Sequence, residues 1–377
     1  MPTYLDCNAT SPVEEKVVEA IIRFTRDEYG NAGSRTHEFG ARAKQAVQKA
    51  RDQIRAVVDA EREEIIFTSG ATESDNLAIL GLAAEGEKSG KRHLITTAIE
   101  HKAVLEPIEH LVKQGFEATI LPVDRGGRVK ADAVLSAVRD DTLLVSVMHV
   151  NNETGVRQPI DEIADGLAES DVYFHVDAAQ SFGKEISTLR SKRIDLISVS
   201  GHKIYGPKGI GVLVARRRGY KTAPLQPLMY GGGQERGLRP GTMPVPLAVG
   251  LGIAAEIASK DHKCRTKRCS EVRQKALETL GALQPILHGD PDHVVPHVLN
   301  ISLPGIDAEA AMVSLKGIAA ISNGSACTSH SYKLSHVLEA MDLSEDEIST
   351  ALRISWCHLT DEIDWGAIRD ALLALRR

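Results

Sequence analysis

Four short stretches of the chain carry residue types that could do chemistry. In "SNGSACTSHSYK", residues 322–333, Cys327 stands among glycine and serines where neither helix nor strand patterning holds it. Loose backbone of that kind lets a thiol swing between two environments. "DLISVSGHKIYGPKGIGVLVAR" reads as a strand, a polar turn with Ser200, His202 and Lys203, and a glycine-rich return into another strand. An amine in a tight, partly dry turn loses its proton more readily and can form an imine with a carbonyl. "FHVDAAQSFG" ends a β-rich run on Asp177 and continues to Gln180. "TSGATESDN" follows the strand-like "EEIIF" and opens a helix, so the N–H groups of Gly70, Ala71 and Thr72 lie at a positive helix end that suits phosphate.

Taken singly, these stretches have ordinary explanations. Ser or Thr followed by Glu is a common helix start, a strand-end Asp often caps the next helix, and a free cysteine is usually a small buried thiol. Taken together, a phosphate cup, an aspartate and a lysine on successive strand ends are the anchor, pyridinium partner and Schiff-base amine that pyridoxal 5'-phosphate requires.

The elements that must position them are legible as rhythm. "EEKVVEAIIRFTRDEYG" and "THEFGARAKQAVQKARDQIRAVVD" carry apolar residues at helical spacing and predict two amphipathic helices before any strand. Short β-rich runs from "EEIIFTS" to "GIGVLVAR" then alternate with helical stretches such as "ATESDNLAILGLAAEG". That alternation predicts an α/β domain with a mainly parallel sheet covered on both faces. From about residue 256 a long polar helix, "HVLNISLP", a helix around "DAEAAMVSLKG", "ALRISW" and a last amphipathic helix predict a smaller α+β unit. The expected division is a large domain over 15–255, with 1–14 and 256–377 forming the small domain that carries the cysteine loop. Ligands of open α/β sheets sit beyond the carboxyl ends of the strands, where all these motifs fall.

Composition narrows the partners. The 377 residues hold 45 basic and 51 acidic side chains, a formal charge of −6, so no global field draws the chain to nucleic acid or an anionic membrane. The start "MPTYLDCNATSPVEEK" lacks a basic segment followed by an apolar run, and nowhere do eighteen apolar residues stand together. The expectation is a cytoplasmic protein without direct nucleic-acid or membrane binding. Five cysteines, odd in number, make no disulfide framework. Cys264 and Cys269 in "KDHKCRTKRCSE" are explained by a shared helix surface rather than as metal ligands, and no metal is expected.

With these residues in view, the sequence resembles a cysteine desulfurase of the class V aminotransferase family, from "YLDCNATSPV" to "ALRISW". The resemblance implies fold type I of the pyridoxal phosphate-dependent transferases. It implies Lys203 as the Schiff-base lysine, Asp177 against the ring nitrogen, Gln180 on the ring hydroxyl and His101 of "AIEHKAV" stacked on the ring. Thr72, Ser200 and His202 would hold the phosphate beside Ala71. Thr242 of "GLRPGT" would reach the cofactor of a second subunit, which makes a homodimer an implied state. Asn31, Asn152 of "NNETG" and Arg353 of "LRIS" would bind the substrate amino acid, Arg353 as a two-pronged donor to its carboxylate. The residues themselves also favour the cleft for His101, which directly follows a strand. A lone inward Arg353 needs a carboxylate partner, whereas Asn152 is equally suited to a turn.

The implied reaction converts L-cysteine to L-alanine, with Cys327 taking the sulfur as a persulfide and passing it to a sulfur-acceptor protein in iron–sulfur assembly, tRNA thiolation or DNA phosphorothioation. Cys7 and Cys357, beside β-like segments, are expected to be buried thiols. Three stretches depart from the family pattern: "NAGS" lacks a rigid proline near Asn31, "RPGTMPVP" stiffens the approach to Thr242, and "ISWCHLT" alters the surroundings of Arg353. They point to a specialised member, similar to the desulfurase that feeds DNA phosphorothioation. The alternatives are a selenocysteine lyase or an aminotransferase on the same scaffold and, in another class, a scaffold that docks sulfur acceptors with little turnover.

Overall fold

The structure, a computed structural model, describes residues 2–323 and 334–376. Chain order begins β1 (Thr3–Tyr4), α1 (Glu15–Arg26), α2 (Glu38–Val58), β2 (Ile65–Thr68), α3 (Ala71–Leu80), α4 (Ala83–Ser89), β3 (His93–Thr97) and α5 (Lys102–Lys113). It continues β4 (Glu117–Leu121), α6 (Ala131–Ser136), β5 (Thr142–Met148), α7 (Ile160–Gly166), β6 (Tyr173–Asp177), β7 (Leu196–Ser200) and β8 (Gly211–Ala215). After the short ribbon β9 (Arg217–Arg218) and β10 (Lys221–Thr222) comes α8 (Val245–Leu280). The chain closes with β11 (Ile286–His288), β12 (Val298–Ser302), α9 (Ala308–Ser314), β13 (Ala319–Ala320), α10 (His336–Ala340), α11 (Glu345–Ser349), β14 (Ala351–Ser355) and α12 (Trp365–Leu373).

Seven strands form the central sheet in the order β2-β8-β7-β6-β5-β3-β4. Only β8 runs against its neighbours, pairing antiparallel with β2 and β7. The sheet is therefore mainly parallel, as the alternating rhythm predicts. Every residue of β3, β5, β7 and β8 is buried, the signature of strands covered by helices on both faces. One face packs on α1, α2 and the first half of α8, and the other on α3 and α5. The crossovers deliver the carboxyl ends of β2, β3, β5, β6 and β7 to a common edge.

A close approach shapes that edge. A Cβ on Gly211, the first residue of β8, would lie 2.6 Å from Gly70 Cα and 2.4 Å from the Val199 carbonyl oxygen. Only glycine lets β8 start between the two turns that hold Gly70 and Ser200.

The second core joins Leu5, the later part of α8, strands β12 and β14 of the antiparallel sheet β11-β12-β14, α9 and α12. Two expectations are corrected by the fold. A strand does precede the first helices: β1 pairs in parallel with β13, a partner far along the chain that no local pattern announces. Cys264 and Cys269 do not share a helix surface, for Cys264 is exposed while Cys269 is buried in the second core. Five residues turn a helix by about 140°, which places them on different faces. The sequence boundary at 255/256 falls inside α8, a single helix of 36 residues. Its first half packs on α1 and α2, and its second half reaches α12.

Candidate active site

The strand ends and turns line one cavity of about 600 Å³. Ala71, Thr72, Ser200, His202, Lys203, His101, Asp177, Gln180, Asn152 and Arg353 all border it. The structure thus gathers ten of the thirteen residues singled out in the sequence.

At one end α3 begins at Gly70 and presents Ala71 and Thr72, opposite Ser200 and His202. The Ser69 N–H is taken by Glu73 at 2.7 Å, which steadies the entry to the helix. His202 is held through Nδ1 by the Thr10 hydroxyl at 3.1 Å. Burial, reinforced by the nearby cations Lys203 and Lys208, pushes its pKa down to about 4, so it meets the pocket as a neutral ring.

Lys203 sits in the turn after β7, and its Nζ donates to the carbonyl oxygens of Asn8 and, at 2.8 Å, Ala9. The N-terminal segment is stitched to this turn again where the Ser11 hydroxyl donates to the His202 carbonyl at 2.7 Å and accepts the Tyr205 N–H. Tyr205 adopts φ 66°, an unusual conformation for a bulky side chain, and is buried where it does so. The turn after Lys203 is thereby held from both sides.

His101 caps α5: its Nδ1 accepts the Ala103 N–H at 3.1 Å, which leaves the proton of the neutral ring on Nε2. Burial lowers its pKa, Asp177 opposes and Lys203 adds to the lowering. Asp177 ends β6 and accepts the Ala179 N–H at 2.8 Å. Burial, with the charge of Asp75 behind it, pushes the Asp177 carboxyl up to about 7. A carboxylate so placed is stabilised by an incoming cation.

At the other end Arg353 on β14 donates Nη2 to Asp6 at 2.8 Å and Nη1 to the Asn152 carbonyl at 3.2 Å. Asp6 is the carboxylate partner that a buried Arg requires. The "NNETG" turn divides its labour: the Asn151 side chain accepts the N–H groups of Glu153 and Thr154, and Asn152 is left bordering the cavity. Ser322 pairs with Arg353 through the backbone and donates its hydroxyl to Asp6 at 3.1 Å. Ser335 donates to Glu153 at 2.5 Å. Both flanks of residues 324–333 are thus tied to the cavity rim. Cys327 itself lies outside the described residues.

Pyridoxal phosphate fits this donor set. Gln180 Oε1 and Asn8 Oδ1 are buried pocket atoms without a hydrogen-bond partner, and Asp177 faces the pocket in need of a cation. These match a ring hydroxyl and a protonated ring nitrogen, beside an amine and a helix N-terminus.

Asn31 and Thr242 are not brought to this cavity: both are exposed, and Asn31 Oδ1 accepts the Gly33 N–H at 2.8 Å. Cys7 and Cys357 are buried. Sequence reasoning missed Asp6, Asn8 and Asp75. Asp6 and Asp75 stand inside stretches already singled out, so a search for carboxylates near a buried Arg would have found the first. Nothing local marks Asn8. Among the described residues, no helix is long and apolar enough to cross a membrane, and no group of three His, Cys, Asp or Glu side chains is placed to hold a metal.

A sequence profile described as "Aminotransferase class-V" matches residues 3–364. The chain is 44% identical over 383 residues to a cysteine desulfurase IscS of Vibrio vulnificus (strain YJ016), covering 100% of this chain and 94% of that one. The solved structure of DndA from Streptomyces lividans is 50% identical, with a TM-score of 0.83 over 94% of this chain and 99% of that one. A structure of SspA in complex with cysteine is 37% identical, with a TM-score of 0.83 over 94% of this chain and 98% of that one.

Proposed function

The chain belongs to the aminotransferase class-V family, in its cysteine desulfurase branch, and we propose how its residues convert L-cysteine to L-alanine and pass the sulfur on through Cys327. The reading rests chiefly on one observation: Lys203, Asp177 and His101 meet in a single cavity with Arg353 at its far end. Pyridoxal phosphate, bonded through its aldehyde to an amine, draws electrons away from the substrate Cα and so loosens the bonds around it. Lys203 Nζ would be the amine that holds the cofactor, and as a free amine it would be the base that takes the Cα proton. Asp177 keeps the proton on the ring nitrogen, and Gln180 and His101 orient the ring. Ala71, Thr72, Ser200 and His202 bind the phosphate.

Arg353 grips the substrate carboxylate with Asn152 beside it, and Asp6 holds the guanidinium in its plane meanwhile. His101 Nε2 handles the proton at the substrate sulfur. The Cys327 thiolate attacks that sulfur; an S–S bond forms, the C–S bond breaks, and its electron pair stays on the three-carbon fragment, which takes at Cβ the proton given up by the Cys327 thiol, regains at Cα the proton held by Lys203, and leaves as alanine. Cys327 lies four residues beyond Asn323 in the sequence. The persulfide sulfur then goes to an acceptor protein.

A homodimer completes the site. Asn31 and Thr242 lie outside the cavity of their own chain, in segments that also expose Tyr29, Leu228, Met229 and Tyr230. Such residues suit a subunit contact through which Thr242 reaches the neighbouring cofactor.

The test is Cys327→Ser. The variant should keep its visible cofactor absorbance and form no persulfide on reaction with cysteine; wild-type sulfur release by it would refute the assignment.

A further inference from the structure

Behind the ring-nitrogen end of the cavity lies a polar cluster that the reaction above does not use. Asp75 of α3 is 1% exposed and borders the cavity, and neither of its carboxylate oxygens has a hydrogen-bond partner of ordinary geometry. His175 Nε2 stands 3.5 Å from Asp75 Oδ1. The imidazole is fully buried and clamped on both sides, Nδ1 by the Ser146 hydroxyl at 2.8 Å and Nε2 by the Ser198 hydroxyl at 2.9 Å. Residues two apart on a strand share a face, so His175 stands on the same side of β6 as Asp177.

An unsatisfied buried carboxyl is costly, and packing alone would be better served by an amide or an apolar side chain. Asp75 acts on its neighbours: its charge raises the pKa of both Asp177 and Glu100. Burial pushes Asp75 itself up to about 7, partly offset by the Ser198 hydroxyl, and pushes His175 down to about 4. The other titratable groups bordering this corner are Glu100 and His101 from the turn between β3 and α5, and Lys203 from the turn after β7.

We propose that Asp75, steadied by His175, is a positioning residue that keeps this corner anionic, so that Asp177 binds a protonated ring nitrogen in preference to a neutral ring. The inference rests on the pyridoxal phosphate reading above. Two carboxylates with one neutral imidazole beside Asp75 carry more negative charge than one ring proton alone neutralises. Part of that excess is borne by Asp75, and it raises the affinity of the ring nitrogen for its proton. Above pH 7 Asp75 carries its charge, and the effect is largest there.

The test compares dissociation constants at pH 8 for pyridoxal phosphate and for its 1-deaza analogue, in which carbon replaces the ring nitrogen, by absorbance titration of the full-length apoprotein. The wild type should favour pyridoxal phosphate. In Asp75→Asn that preference should fall about tenfold, the equivalent of one pKa unit, and His175→Gln should fall between the two. The midpoint of the pH titration of visible absorbance should move down by about one unit in Asp75→Asn. Because the ratio is read within one protein, lost stability that weakens both ligands alike does not imitate the effect. If Asp75→Asn yields no folded protein, Asp75→Ser is read in its place. An unchanged ratio overturns the inference, whereas a wild type that binds neither compound overturns the cofactor reading on which it stands.

Discussion

Strands β6 and β7 carry a buried aspartate at each end of the sheet, and the two are treated in opposite ways. Asp195, just before β7, is 2% exposed and is met by Arg193 at 2.9 Å, by Arg218 at 2.5 Å and by the Phe174 N–H at 2.7 Å. Asp177, at the end of β6, is 5% exposed and receives the Ala179 N–H, while Asp75 repels it. The protein supplies the first carboxylate with its own cations and leaves the second for a cation from outside. A carboxylate whose charge is answered within the fold serves stability; one whose charge is left unanswered in a cavity is a binding group.

Exchanging the chemistry of the two sites breaks the comparison. Asp177→Asn should lower alanine release by about 10³-fold, the upper range for loss of one preorganised electrostatic group, while the protein stays folded; steady-state kinetics and a thermal melt read both. Asp195→Ala should do the reverse. It leaves two partly buried arginines without their carboxylate and should cost about 3 kcal/mol of stability in a denaturant titration, with the turnover of folded protein nearly unchanged.

The smallest effect sharpens the contrast through pH. Asp177 and Asp75 hold their protons in the folded apoprotein up to about pH 7, against an ordinary carboxyl value of 3.8. A raised carboxyl pKa gives stability that is fully present below the unfolded value and is lost as pH rises through the folded one. Each of the two carboxyls should therefore take roughly 2 kcal/mol from the apoprotein between pH 5 and pH 7. Asp177→Asn should remove about half of the combined slope and Asp195→Asn should leave it in place. A slope unaltered by Asp177→Asn would mean that the carboxyl is not strained in the empty pocket.

Much of this was readable in advance. All seven strands of the central sheet fall inside β-rich runs seen in the sequence; in six of them burial on both faces favours continuous apolar residues, while the edge strand β4 buries only Leu121. Lys203, Asp177 and the α3 entrance were legible because strand-end position follows from the same runs. Asn31, expected at the substrate, is instead held in its own turn by the Gly33 N–H, and Thr242, expected to serve a second subunit, lies exposed outside the cavity. Asn8 was invisible: its carbonyl meets Lys203 from 195 positions away. Asp6 meets Arg353 across 347 positions, a separation that no local pattern spans.

The sequence by itself determined the α/β rhythm, the strand-end placement of the lysine, aspartate and phosphate cup, and the chemistry those types can do. Periodicity and turn composition act over a few residues, and that range suffices for such features. Only the tertiary structure decided which charges are answered. Arg353 found Asp6 and Asp195 found its arginines, while Asp177 and Asp75 were left facing one cavity. Those pairings depend on how crossovers and closing strands bring distant residues within a few ångströms, and no local pattern encodes such distances.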